Sequence, residues 1–248
     1  RLRAILDLID KYFPDCQMIN MDATVTSIRL KSDEELQELY DRKVRHLYLG
    51  IESGLDDVLK FMRKEHTQDQ AYKEIARIQK VGLIFDAHVM SGVAGKGRGQ
   101  ENAIALAEFL NKTQPDRIVN FSLFLHNQVA LYEDIKSGAF IPADEVENME
   151  EERTLIELLK EGPDGHQMLY DGFNDFLELR VKGKVPKDAP RMIEKLTEAI
   201  EKYKDEPPIY AYVRGDCPDL SMCDGGRWLW EMDDSKLAQY NEKEKKLS

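Results

Sequence analysis

Cysteine is scarce in this chain: three in 248 residues, Cys16, Cys217 and Cys223. Three widely separated thiols cannot form a disulfide framework at this length, and they fit a reducing, cytoplasmic setting. Cys217 and Cys223 are further apart than the thiols of iron–sulfur loops and read as structural or free. The five histidines show no His-x-x-x-His or His-Glu-x-x-His spacing, so no metal site is expected. No run approaches ~18 apolar residues, which excludes a membrane-spanning helix. No charged-then-apolar leader follows Arg1, so no secretory signal is expected. Basic side chains are outnumbered, 35 against 47 acidic, for a net charge of −12. That balance speaks against a phosphate-binding surface, and no nucleic-acid partner is expected.

What the chain does have is an alternation of helix-period and strand-like segments. Leu2, Ile5, Leu8, Ile9 and Tyr12 share one helical face in residues 1–13, and Pro14 ends that helix. Gln17–Ile28, rich in Met, Ile, Val and Thr, reads as a buried strand. Ser32 and Glu35 form a capping box that opens a helix over Asp33–Arg42. Further strands are expected at Val44–Ile51, Leu83–Ser91 and Arg117–Leu125, with helices at Asp56–Arg63, Gln68–Val81, Gln100–Thr113 and Val129–Ser137. Strand–helix repeats with short turns indicate a parallel α/β sheet. Four strands cannot close a barrel, so an incomplete open sheet is expected. A helix ahead of the first strand suggests a further strand upstream. Residues 141–248 are expected to form a mostly helical extension, with helices at Asp144–Glu161, Met168–Val181 and Pro190–Lys204. Pro207–Trp230 resists assignment, and the charged Asn241–Ser248 end reads as frayed.

Three segments carry a resemblance. The first is Leu47-Tyr48-Leu49-Gly50-Ile51-Glu52-Ser53-Gly54, followed by Asp57 through Lys64 and Thr67. The second is His88-Val89-Met90-Ser91-Gly92-Val93-Ala94-Gly95, with Gly97 and Gly99 after it. The third is Pro115-Asp116-Arg117-Ile118-Val119, running through Ser122-Leu123 to Leu131-Tyr132. In this order they resemble strands four to six of radical S-adenosylmethionine (SAM) enzymes, in the branch of oxygen-independent coproporphyrinogen oxidase and related iron–sulfur oxidoreductases. The resemblance covers roughly residues 1–140 and implies that they form a partial (β/α) TIM-type barrel of about four parallel strands.

The resemblance implies an oxidoreductase that cleaves SAM to a 5′-deoxyadenosyl radical, which takes hydrogen from a small-molecule substrate. A flavodoxin- or ferredoxin-type donor would supply the electron. Glu52 falls where the family contacts SAM, and Lys64 where a cation meets the SAM carboxylate, with Arg63 as a fallback. His88 falls near a ribose contact, although relatives often carry Asp there. Gly92 belongs to the turn that approaches the adenosine. Ser122 and Leu123 would line the adenine edge, and Asp22, or Asn20, would bring a polar group from strand three. The family's Cys-x3-Cys-x2-Cys loop, which holds a [4Fe–4S] cluster, is absent, so its ligands are expected upstream and this chain alone is expected to be inactive. Two other readings stay open. One is a non-catalytic ligand- or partner-binding α/β module. The other is an unrelated barrel lyase, for which Lys31 and Glu52 are the only catalytic candidates.

Overall fold

Side-chain caps open four of the helices among the described residues. In the computed structural model, which describes residues 1–126, 128–174 and 177–213, helix α1 (Leu2–Tyr12) stops ahead of Pro14. Strand β1 (Ile19–Ala23) is shorter than its apolar composition suggests. Thr24 interrupts it: its hydroxyl accepts from Ser27 N, the Ser27 hydroxyl accepts from Thr24 N, and this capping box turns the chain into a short helix α2 (Val25–Arg29). The expected box at Ser32 and Glu35 is formed and opens α3 (Asp33–Asp41).

Strand β2 (Val44–Glu52), helices α4 (Asp56–Phe61) and α5 (Gln68–Lys80), strand β3 (Ile84–Ser91), helix α6 (Gly99–Thr113) and strand β4 (Arg117–Ser122) follow close to their expected bounds. A short strand β5 (Leu125–His126) and helix α7 (Ala130–Lys136) come next, then α8 (Glu145–Leu158), capped by the Asp144 carboxylate on Val146 N and Glu147 N.

The expected helix over Met168–Val181 is overturned. This stretch is a hairpin of β6 (Met168–Asn174) and β7 (Leu179–Val185), paired antiparallel. Leu169, Phe173 and Leu177 mimic a helical spacing of four. The burial alternates instead, with Met168, Tyr170, Gly172 and Asn174 all turned inward. Among its described residues the C-terminal region thus combines helices with a strand hairpin. Helix α9 (Ala189–Tyr203) and a short β8 (Tyr212–Val213), parallel to β5, complete the described residues. Cys217, Cys223, both tryptophans and the charged tail lie outside them.

The main sheet runs β1-β2-β3-β4-β6-β7, all parallel except the last strand. It holds five parallel strands rather than four, and it draws strands from both sides of residue 140. This is a partial α/β barrel. One face packs on helices and carries the core residues Leu47, Leu49, Phe85, Ala87, Ile118 and Tyr170. The alternate residues, among them Asp22, Tyr48, His88, Phe121 and Phe173, line the other, partly exposed face. No helix among the described residues is long and apolar enough to cross a membrane.

Candidate functional site at the carboxyl edge of the sheet

The β2 end is built around a bulge. Gly50 pairs with His88, but the register slips so that Glu52 pairs with Val89. Glu52 adopts a left-handed backbone, φ 62°, a conformation that costs of order 1 kcal/mol or more in a side chain-bearing residue. Bulges of this kind re-aim a side chain. Here the Glu52 carboxylate folds back over Gly50: a Cβ at position 50 would lie 2.5 Å from Glu52 Oε1 and 3.9 Å from Lys64 Nζ. Lys64, delivered by the turn after α4, donates to Glu52 Oε1 at 2.7 Å. The Glu52 side chain is 15% exposed and that of Lys64 37%. The two charges thus satisfy each other at the rim where α/β folds bind ligands. Arg63, the fallback candidate, points elsewhere and lies 3.7 Å from Asp134.

Two residues on, the turn is pinned from behind. Ser53 is fully buried and donates to Asn102 Oδ1 at 2.6 Å, and Gly54 N donates to the same oxygen. A Cβ at Gly54 would run into the backbone of Ala105 and Leu106, which accounts for a glycine there. Asn102 in turn donates to Glu151 Oε1, and Glu151 Oε2 accepts from Gly92 N at 2.9 Å. One carboxylate on α8 therefore ties the turn after β2 to the turn after β3. Gly92 has φ 79° and lies against Asn148.

Below this rim, a ladder of rings crosses the open face. Tyr48 and His88 have centroids 5.1 Å apart, His88 meets Phe121 edge-on at 5.8 Å, and Phe121 stacks on Phe173 at 5.7 Å with the planes 13° apart. The Arg180 guanidinium caps the series, 4.5 Å above Phe173. Such contacts favour offset and edge geometries, as here. Each of β2, β3, β4, β6 and β7 supplies one member. Of these, the sequence offers His88 alone as a site residue. Strand alternation is the signal that could have found Phe121, since it puts residue 121 on the face opposite Ile118 and Asn120. Phe173 and Arg180 were hidden by the helical reading of their hairpin.

The remaining expected residues are placed as follows. Asp22 is exposed, beside Tyr48 in the register. Leu123 donates its N–H to Ser91 O and packs beside Leu125. Ser122 is turned away from the open face, with its Oγ 2.8 Å from Asn174 Oδ1 and 3.2 Å from Glu145 Oε2. His66, which no motif singled out, is buried close to Lys64 and Glu52 with its Nε2 unpartnered. Burial, then the Lys64 charge, lowers its pKa and keeps the ring neutral.

The strongest electrostatic feature lies behind the sheet. Glu145, Glu151 and Glu152 of α8 are buried, each carboxyl pushed up to about 7 by burial. Glu152 accepts from Tyr170 OH and from Asn174 Nδ2, and Asn120 donates to the Tyr170 oxygen. All three have neutral amides, hydroxyls or backbone N–H as partners. The acidity of this helix is therefore not merely a solvated surface.

No family model matches the chain. The tRNA-2-methylthio-N(6)-dimethylallyladenosine synthase of Acinetobacter baumannii is 32% identical over 101 residues, 39% of this chain and 20% of that protein. The tRNA uridine(34) acetyltransferase of Methanocaldococcus infernus is 24% identical over 120 residues, 48% of this chain and 22% of that one. Among solved structures, the archaeal Methanocaldococcus infernus Elp3 with an N-terminal deletion superposes with a TM-score of 0.55 and 18% identity, covering 75% of this chain and 42% of that chain. That likeness shows the fold alone. The match spans about a fifth of the length of these curated relatives. The relatives are radical SAM proteins, a superfamily that uses SAM and a [4Fe–4S] cluster, so the resemblance is supported at superfamily level. The coproporphyrinogen oxidase branch finds no support in them.

Proposed function

We propose that this chain forms the SAM-facing wall of a radical SAM enzyme, with Glu52, Lys64, His88 and Phe121 as the contacting side chains. The observation that carries the reading is the self-paired Glu52–Lys64 couple folded over Gly50 at the carboxyl rim. SAM offers a carboxylate, an ammonium group and a ribose diol. Its carboxylate takes the place of Glu52 as the partner of Lys64. Its ammonium or diol then takes the Glu52 carboxylate, as charge-assisted hydrogen bonds favour. The rings of His88 and Phe121 give the adenine an apolar, stackable bed. Asp22 supplies a polar group on the neighbouring strand. Gly92 keeps the turn after β3 close to the rim, while Ser122 and Leu123 shape the end of β4.

The described residues do not fit an iron–sulfur cluster. Cys16 is the free cysteine among them, and its Sγ lies 3.3 Å from Met18 O. A cluster held by ligands outside these residues would supply the electron for reductive cleavage of SAM. What these residues contribute is binding, orientation and the exclusion of water.

For the substrate we favour a base of tRNA over the small molecule expected from the sequence. The relatives' names speak of tRNA, against the expectation that no nucleic acid is involved. The β6–β7 hairpin also places Arg180, Lys182 and Lys184 along one exposed side of an otherwise acidic chain. An oxidoreductase of the coproporphyrinogen oxidase group stays a reading of the sequence motifs alone.

Calorimetric titration of SAM into this chain tests the proposal. Saturable binding is expected, weakened about tenfold or more by Glu52→Gln and by Lys64→Ala. In the double variant the two losses are expected to be non-additive, because the residues share one ligand. Absence of SAM binding, or binding indifferent to both substitutions, would return the pair to a structural role and favour the non-catalytic module.

A further inference from the structure

The opposite, amino-terminal edge of the sheet holds a second constellation that the SAM reading does not use. His46 lies near the start of β2, Asp86 near the start of β3, and Asp116 immediately ahead of β4. They are 40 and 30 positions apart in sequence, so no local spacing announces them. The fold brings one ligand atom from each within 4.8 Å of the other two. Donors around one ion, each about 2.0–2.2 Å from it, lie up to ~4.4 Å apart. A small rotation of the exposed Asp116 closes the difference.

Asp86 makes the case more than an acidic cluster would. It is fully buried, its Oδ2 lies 2.7 Å from His46 Nδ1, and its Oδ1 has no hydrogen-bond partner. A buried carboxylate oxygen left unpaired is costly. The His46 side chain is 16% exposed, so the trio is reached from the side where Asp116 meets solvent. Arg117 stands beside Asp86 in the register, yet its Nε is buried and unpartnered.

We propose that His46, Asp86 and Asp116 form a binding site for one divalent transition-metal ion of the zinc class, clamping the amino ends of β2, β3 and β4. One neutral imidazole and two carboxylates give a donor set of charge −2, which a divalent ion neutralises. Mixed nitrogen and oxygen donors suit zinc and its first-row neighbours better than calcium or magnesium. The ion ligates the otherwise unpaired carboxylate and replaces the proton between His46 and Asp86. Its place at the amino-terminal face assigns it to stability rather than to chemistry, since that face of a barrel serves the fold.

The test uses the whole chain, stripped with a chelator and titrated with Co²⁺ and Zn²⁺. The expected result is one ion per chain, with Co²⁺ d–d absorption lacking the sulfur charge-transfer band that cysteine ligation would give. Zn²⁺ at a hundredfold excess over its Kd should raise Tm by roughly 5–10 °C. Asp116→Asn, an exposed substitution, should leave the metal-free Tm unchanged and weaken Co²⁺ binding at least tenfold. His46→Gln should weaken it as well. No stoichiometric binding, binding with a sulfur band, or binding that Asp116→Asn leaves intact would overturn the site. None of these readouts involves SAM, so the result stands apart from the proposed function.

Discussion

At Gly50 the missing side chain makes room for the Glu52 carboxylate to fold back over the sheet. The neighbouring motif residues were legible in the sequence because their types are constrained by local geometry. Gly54 packs against a helix backbone, and Glu52 ends a strand beside a cation. His66 was not legible, because nothing in its spacing tells that its Nε2 is buried and unpartnered. Gly50 supplies a sharp test at this scale. Its backbone does not need the left-handed region, so Gly50→Ala should change stability by no more than about 1 kcal/mol. The new methyl group would displace Glu52 Oε1, 2.5 Å away. SAM affinity should therefore fall about tenfold while the urea midpoint barely moves. A large loss of stability with unchanged affinity would contradict this account of the β2 bulge.

Helix α8 is the element whose role composition concealed. Rich in acidic residues, it nevertheless lies between α6 and α9 and packs across β3, β4 and β6. A count of charges cannot tell which glutamates point inward. Apart from Asn148 on α8 itself, their partners are Ser122 on β4, Tyr170 and Asn174 on β6, Asn102 on α6 and the Gly92 N–H, all in other elements. Around Glu145 the proton count can be worked out. Ser122 Oγ has one proton but faces two acceptors, Asn174 Oδ1 and Glu145 Oε2. A protonated Glu145 supplies the missing donor, in keeping with a carboxyl pushed up to about 7. Because its pKa is raised on folding, the folded state holds the proton more tightly than the unfolded chain. The stability this contributes is fully present below about 4.5 and is lost as the pH rises through about 7. Glu145→Gln reproduces the protonated pattern, with Nε2 donating to Ser122 and Oε1 accepting from Asn148. Urea melts from pH 4.5 to 8 should show the variant close to wild type at the acid end. Near pH 8 it should be the more stable by an amount on the order of 2–3 kcal/mol. Parallel curves across that range would mean that Glu145 is ionised throughout.

For the molecule as a whole, strand–helix alternation made the parallel sheet legible through β4, helped by the capping boxes that open α3 and α5 and by the glycine after α5. The β6–β7 hairpin was missed because its apolar residues fall at a spacing of four. What decides between strand and helix there is pairing with β4, a partner some fifty residues away in the register. The same misreading hid Phe173 and Arg180, and with them the extent of the ring ladder. Net charge likewise says nothing of how charge is distributed. An average of −12 coexists with a face where Arg180 and Lys182 flank Asp171, at 2.7 and 3.2 Å. On the two proposals made above, the ends of one sheet take different parts: the carboxyl rim, with Glu52 and Lys64, would face ligand, and the amino edge, with His46 and Asp86, would serve the fold.

The most direct measurement is a crystal structure of this chain grown with SAM. The account predicts density over Gly50, with the SAM carboxylate on Lys64, Glu52 released from Lys64 onto the ammonium or ribose, and the adenine against His88 and Phe121. Density elsewhere on the chain, or an unbroken Glu52–Lys64 pair over an empty rim at saturating SAM, would contradict it.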